Sequence, residues 1–245
     1  MKRLFVLALV ATIPACSPGN APTANSVSAN TNLARDTATD ARRHGPAIAA
    51  FAGLKPGDKV IDWIPGGGYW TRTFARIVGR TGHVYGIWAA PYAAEAATDV
   101  RRYTELAADP AFGNISASTQ PATELKAPEP VDLVFTSQNY HDYADKFMGS
   151  LDPALLDKAA FAALKPGGIF LIIDHVAAAG SGMRDTDTLH RIDPAAVKKQ
   201  VTAAGFQFVG ESRLLANPAD DHSKAVFDKS IRSRTDQFIY KFRKP

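Results

Sequence analysis

From residue 54 onward, short β-branched runs alternate with stretches whose apolar positions recur at helical spacing. Leu54-Lys55-Pro56-Gly57-Asp58 reads as a turn into a strand over Lys59 to Ile64. Tyr69 to Arg80 places Trp70, Phe74, Ile77 and Val78 on one helical face. A second strand follows at His83 to Trp88, then an Ala-rich helix over 93–108, a short strand at Ile115 to Thr119 and a strongly apolar one at Val131 to Ser137. Asp152-Pro153 opens a helix whose Leu156, Ala160, Ala163 and Leu164 share a face. Lys165-Pro166-Gly167-Gly168 turns into Ile169 to Ile173, an unbroken apolar run typical of a strand buried on both faces. Asp193-Pro194 starts a further helix, closed by Gly205, and two strands follow near 206–214 and 235–243. This alternation predicts a doubly wound α/β domain, with a mostly parallel sheet covered on both sides by helices. Leu-Lys-Pro-Gly occurs at 54–57 and again at 164–167, which marks two similar turns rather than a repeat.

The N-terminal end follows another pattern. Lys2 and Arg3 precede an apolar run from Leu4 to Ile13, about half the length that spans a bilayer. The run ends in Pro14-Ala15-Cys16 and reads as an export signal of residues 1–15. Cys16, the one cysteine of the chain, sits where a bacterial lipoprotein carries its lipidated first residue, with Pro14 a departure from such signals. An ordinary signal peptide that happens to contain a cysteine is the alternative. Residues 16–40 are Ser, Ala, Asn, Thr, Pro and Gly with almost no large apolar side chain, a composition that suits a flexible tether. These features predict a domain over 41–245, exported and held at the periplasmic face of a membrane by lipid on Cys16.

Composition narrows the choice further. The chain has 245 residues, 46% of them hydrophobic, which is ample for a packed core and excludes a disordered chain. A single cysteine excludes an internal disulfide and a Cys-rich zinc site. The formal charge is +4 and no Lys/Arg run exceeds two residues, so nucleic acid is not an expected partner.

In sheets of this kind ligands gather beyond the carboxyl ends of the strands. Four segments fall there. Asp62-Trp63-Ile64-Pro65-Gly66-Gly67-Gly68 runs from a strand through three glycines into a helix, where backbone can approach a ligand closely and N–H groups are available. Tight helix–strand packing would also need glycine there. Trp88, at the next strand end, could stack on a flat ring or simply pack. Thr136 to Tyr143 sets Asn139, Tyr140, His141 and Asp142 directly after a buried strand, and Asp174-His175 follows another, with His190 and Arg191 in the loop beyond. Histidine suits proton transfer near neutral pH, so His141 is the expected base, oriented by Asp142 or Asp174. Tyr140, His175, His190 and Arg191 are the expected substrate contacts. His141, Asp142, Asp174, His175 and His190 could also ligate a metal, but no tight spacing fixes them and no metal is assigned. A Gly-x-Ser-x-Gly elbow and a Walker loop are both absent from the sequence.

Val60-Ile61-Asp62 through Gly68, Gly82-His83-Val84-Tyr85-Gly86, Val131-Asp132-Leu133-Val134 and Leu164 to Gly168 together resemble the class I S-adenosylmethionine-dependent methyltransferases. The resemblance covers roughly residues 45–245. Within that superfamily the chain is similar to a group of bacterial "predicted methyltransferases", often exported, that carry a Pro-Gly-Gly-Gly loop, a Leu-His-Arg-Ile-Asp segment (189–193 here) and an Asn-Pro-x-Asp-Asp stretch (217–221 here). It implies a Rossmann-like, seven-stranded sheet with the last strand antiparallel, and S-adenosylmethionine as cofactor. By the family pattern Pro65, Gly66, Gly67 and Gly68 lie under the methionine part, Asp62 near its amino group and Asn139 to His141 beside the methyl. Ile64 replaces the first glycine of the usual Gly-x-Gly-x-Gly, and Trp88 the acid that holds the ribose; Thr119-Gln120 lacks the acid that often meets adenine. The implied activity is methyl transfer to a small molecule or envelope component. The alternative is a non-catalytic module that keeps the fold and binds another ligand or partner.

Overall fold

The computed structural model describes residues 24–245, with side chains from residue 32 onward. The export signal and Cys16 lie outside the described residues. In chain order the elements are α1 (Ala24–Arg43), α2 (Gly45–Ala52), β1 (Lys59–Trp63), α3 (Tyr69–Val78), β2 (His83–Ala89), α4 (Ala90–Glu95), α5 (Ala97–Ala108), β3 (Ile115–Gln120), β4 (Val131–Ser137), α6 (Pro153–Ala163), β5 (Leu164–His175), α7 (Thr186–Leu189), α8 (Pro194–Ala203), β6 (Gln207–Ser212) and β7 (Gln237–Arg243).

The strands form one sheet in the order β3-β2-β1-β4-β5-β7-β6. Only β7 runs antiparallel, against both β5 and β6. This is the Rossmann-like methyltransferase fold that the sequence predicts. The order reverses between β1 and β4, where Asp62 pairs in register with Phe135. Runs of consecutive buried residues in β1 (Val60 to Trp63), β4 (Leu133 to Thr136) and β5 (Phe170 to His175) show that both faces are covered. An aromatic cluster of Trp70, Phe74 and Phe135 fills the space between α3 and the centre of the sheet, with ring centroids 4.9–5.9 Å apart.

Two predicted boundaries shift. The helix expected over 93–108 is two, broken at Ala96, whose φ of −104° and ψ of 31° leave the helical region. The tether expected over 16–40 is a helix from Ala24 onward, and α1 docks on the domain. Its anchors are carboxylates, which a search for apolar residues does not find. Asp36, buried, accepts from Arg72 Nε at 2.9 Å and Arg72 Nη2 at 2.7 Å, and from Arg76 Nη2 at 2.9 Å. Burial works against the Asp36 charge, but the two guanidinium groups outweigh it and hold its carboxyl below the usual range. One turn on, Asp40 accepts from the Tyr69 hydroxyl at 2.5 Å, and the same hydroxyl accepts from the Gly45 amide at 3.1 Å.

Residues 213–236 form a long connection between β6 and β7 without helix or strand. Arg191 holds it. This side chain is wholly buried, donates from Nη2 to both Asp220 oxygens at 2.9 and 3.1 Å, and from Nε to the Lys224 carbonyl at 2.8 Å. Its Nη1 meets the Val176 carbonyl at 2.9 Å. Asp220 accepts further from the His222 and Asp236 amides. No helix among the described residues is long and apolar enough to cross a membrane.

Removing one partner of a buried ion pair strands the other charge, at a cost of about 3–5 kcal/mol. Asp36→Ala is therefore expected to lower the unfolding midpoint by roughly 6–20 °C, measured by thermal denaturation. Arg191→Ala should carry a cost of the same order and, in addition, open residues 213–236 to limited proteolysis; cleavage as slow as in the parent chain would contradict the clamp.

Candidate active site

At the carboxyl ends of β1, β2, β4 and β5 lies a cavity of about 770 Å³. β1 delivers Asp62, and the chain then turns through Ile64 into the glycine loop. Ile64 has φ 56°, the left-handed conformation that a β-branched side chain rarely adopts. It holds that conformation at roughly 1–2 kcal/mol of strain. Its carbonyl accepts from Asn139 Nδ2 at 3.2 Å, and Asn139 also donates to the Ser137 carbonyl at 2.8 Å, which ties the ends of β1 and β4 together. Arg72 Nη1 donates to the Gly67 carbonyl at 3.0 Å, so the guanidinium that anchors α1 also holds the loop. A β-carbon added at Gly66 or Gly67 would meet nothing within 4 Å, and both residues line the cavity. Gly68 differs: it caps α3 at φ 74°, and a β-carbon there would lie 2.8 Å from Leu106 Cδ2. It serves packing rather than a ligand.

Asp62 is 1% exposed and accepts from the Thr71 hydroxyl at 2.5 Å. Burial pushes its carboxyl up to about 7, against the Thr71 hydrogen bond and the nearby Arg43 charge. Arg35, Thr39 and Arg43 of α1 line the cavity too, and so do Glu95 and Asp99 from α4 and α5. Arg43 lies 5.5 Å from the Tyr69 ring and 6.0 Å from that of Trp70.

The other half is built from the ends of β4 and β5. Gln138 turns the chain at φ 64° and passes it into a 3-10 turn over His141–Ala144. Asp174, wholly buried, accepts from the His141 amide at 2.9 Å, the His175 amide at 2.7 Å and His141 Nδ1 at 2.7 Å. His141 Nε2 lies 3.0 Å from Asp142 Oδ1, and His190 Nδ1 3.7 Å from the same oxygen. Burial opposes a charged His141, but the Asp174 and Asp142 carboxylates prevail and hold it well above the ordinary imidazole range. His175 is shifted the other way: burial brings it down to about 4, and its Nδ1 lies 2.8 Å from the Thr235 hydroxyl. His190, at φ 54° after α7, packs edge-on to Phe227 at 4.9 Å; Tyr92 does the same to Phe147 at 5.6 Å.

The cavity thus collects Asp62, Pro65, Gly66, Gly67, Asn139, His141, Asp142, His175 and His190 from the residues that the sequence singles out. Five others lie elsewhere, the first being Gly68, which packs against Leu106. Trp88 is buried beside Tyr92 and Tyr103 and does not face the cavity, so it stacks on no ligand. Tyr140, wholly buried, donates to Asp157, so it is a core residue and not a substrate contact. Arg191 clamps the 213–236 connection, and Asp174 stands behind His141. His141 also departs from the expected base, since carboxylates occupy both of its ring nitrogens. Sequence reasoning missed Arg43, Glu95, Asp99, Tyr92, Phe147 and Phe227. Glu95 and Asp99 carried a signal: two acids four residues apart in the segment that follows β2.

No protein-family model matches the chain, and no curated protein does. Its fold is similar to that of a SAM-dependent methyltransferase from Aquifex aeolicus, with 16% identity over 87% of this chain and 97% of that one, at a TM-score of 0.60. The [4+2]-cyclase SpnF is similar at 18% identity over 84% and 82%, TM-score 0.62. Aeropyrum pernix fibrillarin, solved with natively bound S-adenosyl-L-methionine, is similar at 18% identity over 80% and 73%, TM-score 0.50. These likenesses establish the methyltransferase fold for this chain.

Proposed function

We propose that the chain is an S-adenosylmethionine-dependent methyltransferase acting on a small molecule or envelope component. One observation carries this reading: an open glycine cradle beside a buried carboxylate, at the switch point of a methyltransferase fold. The residues fit the cofactor. The cavity volume lies within the range of about 300–1,000 Å³ usual for small-molecule sites. Asp62 offers a carboxylate to an ammonium group, Arg43 a guanidinium to a carboxylate, and Gly66 and Gly67 leave room for a chain laid along the loop. Glu95 and Asp99 stand in for the acid that Trp88 replaces at the β2 end, as acceptors for ribose hydroxyls. When bound, the cofactor would supply a methyl group on a sulfonium centre.

The acceptor would lie in the other half, between Phe147, Phe227 and the His190–Asp142 pair. Methyl transfer asks chiefly for alignment of donor and acceptor. Phe147 and Phe227 give an apolar, solvent-exposed rim, Asp174 fixes His141, and neutral His175 presents a polar edge without charge. On this reading residues 1–15 export the protein and Cys16 then carries lipid, leaving the domain at a membrane surface.

A second reading has its own support. Trp88 stands where the ribose acid is usual, and the similar SpnF is a cyclase, so the fold serves other chemistry. A ligand-binding module would hold the cavity but not this cofactor.

Calorimetric titration of the full chain with S-adenosylmethionine and S-adenosylhomocysteine separates the two, micromolar binding supporting the first and no binding at millimolar ligand the second. Gly67→Val should weaken binding by roughly 100-fold, equivalent to about 2.7 kcal/mol, with the unfolding midpoint hardly moved. Retained affinity would remove the loop from the site. Binding should also weaken as pH falls below about 7, because the ammonium group needs Asp62 ionised and burial favours its protonated form there. The slope approaches tenfold per pH unit at most, and Asp62→Asn should flatten the profile.

A further inference from the structure

We propose that His141, Asp142 and His190 bind a divalent transition-metal ion at the acceptor end of the cavity. His141 Nε2 and His190 Nδ1 lie 3.0 and 3.7 Å from one oxygen of Asp142, and the three ligand atoms all fall within 4.8 Å of one another. Bonds of about 2.0–2.2 Å to a common ion place neighbouring ligands about 3.4 Å apart in a tetrahedron, which this spacing brackets. Two imidazoles and one carboxylate select a zinc-like or iron-like ion over calcium or magnesium, which prefer all-oxygen sites.

Three features separate this cluster from a surface ion network. Asp174, wholly buried, accepts from His141 Nδ1 at 2.7 Å, which leaves Nε2 turned toward Asp142 and His190. That outer carboxylate is the partner that metal-bound histidines usually have. His190, which caps α7, sets its Nδ1 toward the same Asp142 oxygen that His141 Nε2 faces, so two imidazoles converge on one carboxylate oxygen. All three residues line the cavity, so three protein ligands leave the remaining positions open to a bound molecule, the pattern of reactive rather than structural metal sites. His222 and Asp236 give the contrast: they make a 3.0 Å contact but belong to no group of three such ligands, whereas His141, Asp142 and His190 are the one such group among the described residues. On the methyltransferase reading, on which this extension rests, the open positions would take an acceptor oxygen, which narrows the substrate to a hydroxyl- or carboxylate-bearing molecule. Metal binding itself does not depend on that reading.

The test uses the full chain without a histidine tag and with Cys16→Ser, so that the lone thiol contributes nothing. The chelator-treated protein is titrated with Zn²⁺ against a competing chelator, and with Co²⁺ by visible absorption. The expected result is about one equivalent of tight binding, with d–d bands of a low-symmetry Co²⁺ site. His190→Ala and Asp142→Asn should each weaken binding at least tenfold, Asp174→Asn by about 10–100-fold, and His222→Ala not at all. His190 is partly exposed, so its variant should fold, with His190→Gln as the second choice and circular dichroism as the check. Absence of uptake by the folded protein, or uptake unchanged in both His190→Ala and Asp142→Asn, would overturn the site. Stoichiometric Zn²⁺ without S-adenosylmethionine binding would keep the metal site and reject the methyltransferase reading; the converse would do the reverse.

Discussion

The contact between Arg72 and Asp36 organises the cofactor half of the molecule. A guanidinium on α3 enters the space under α1, where neither partner is solvated, and its planar fork takes both oxygens of the carboxylate. A third nitrogen of the same group reaches the Gly67 carbonyl. One side chain therefore fixes three things at once: the docking of α1, the start of α3 and the course of the glycine loop. A lysine could make one of these contacts, but not all three. Because α1 supplies Arg35, Thr39 and Arg43 to the wall, the cavity is complete only when this ion pair is made.

The alternation of elements was legible in the sequence because hydrophobic periodicity is a local signal. Val60 to Trp63, Val131 to Ser137 and Ile169 to Ile173 are strands at the positions that their apolar runs predict. The Asp-Pro pairs at 152–153 and 193–194 cap helices, each aspartate accepting from the amide two residues on. The α1 helix was hidden for the opposite reason. Its residues are small and polar, and what docks them is a carboxylate 36 residues from its partner, which no local pattern encodes.

The site was legible in part. Proximity to strand ends found the histidines and the glycine loop, but could not say which way a side chain points. Tyr140 and His141 are adjacent, yet one enters the core to meet Asp157 and the other faces the cavity. Arg191 follows His190 and turns away to hold Asp220. The charge state of His141 depends on Asp174, 33 residues distant, so sequence adjacency to Asp142 tells only half of it. Ile64 is the instructive exception to a motif. It holds φ 56°, and the strain of one residue is small beside the packing of β1 and β4 around it.

The position of α1 has a thermodynamic consequence. The helix is both a wall of the cavity and the first described element of the chain, and it is held mainly by two carboxylates rather than by a broad apolar face. Any ligand that touches Arg35 or Arg43 binds the docked helix and not the detached one, so occupancy and docking are linked functions. A ligand at 100 times its dissociation constant adds about 2.7 kcal/mol to the docked state. Amide protons of α1 would then exchange more slowly, and the state of the cavity could be read at the chain's N-terminal end.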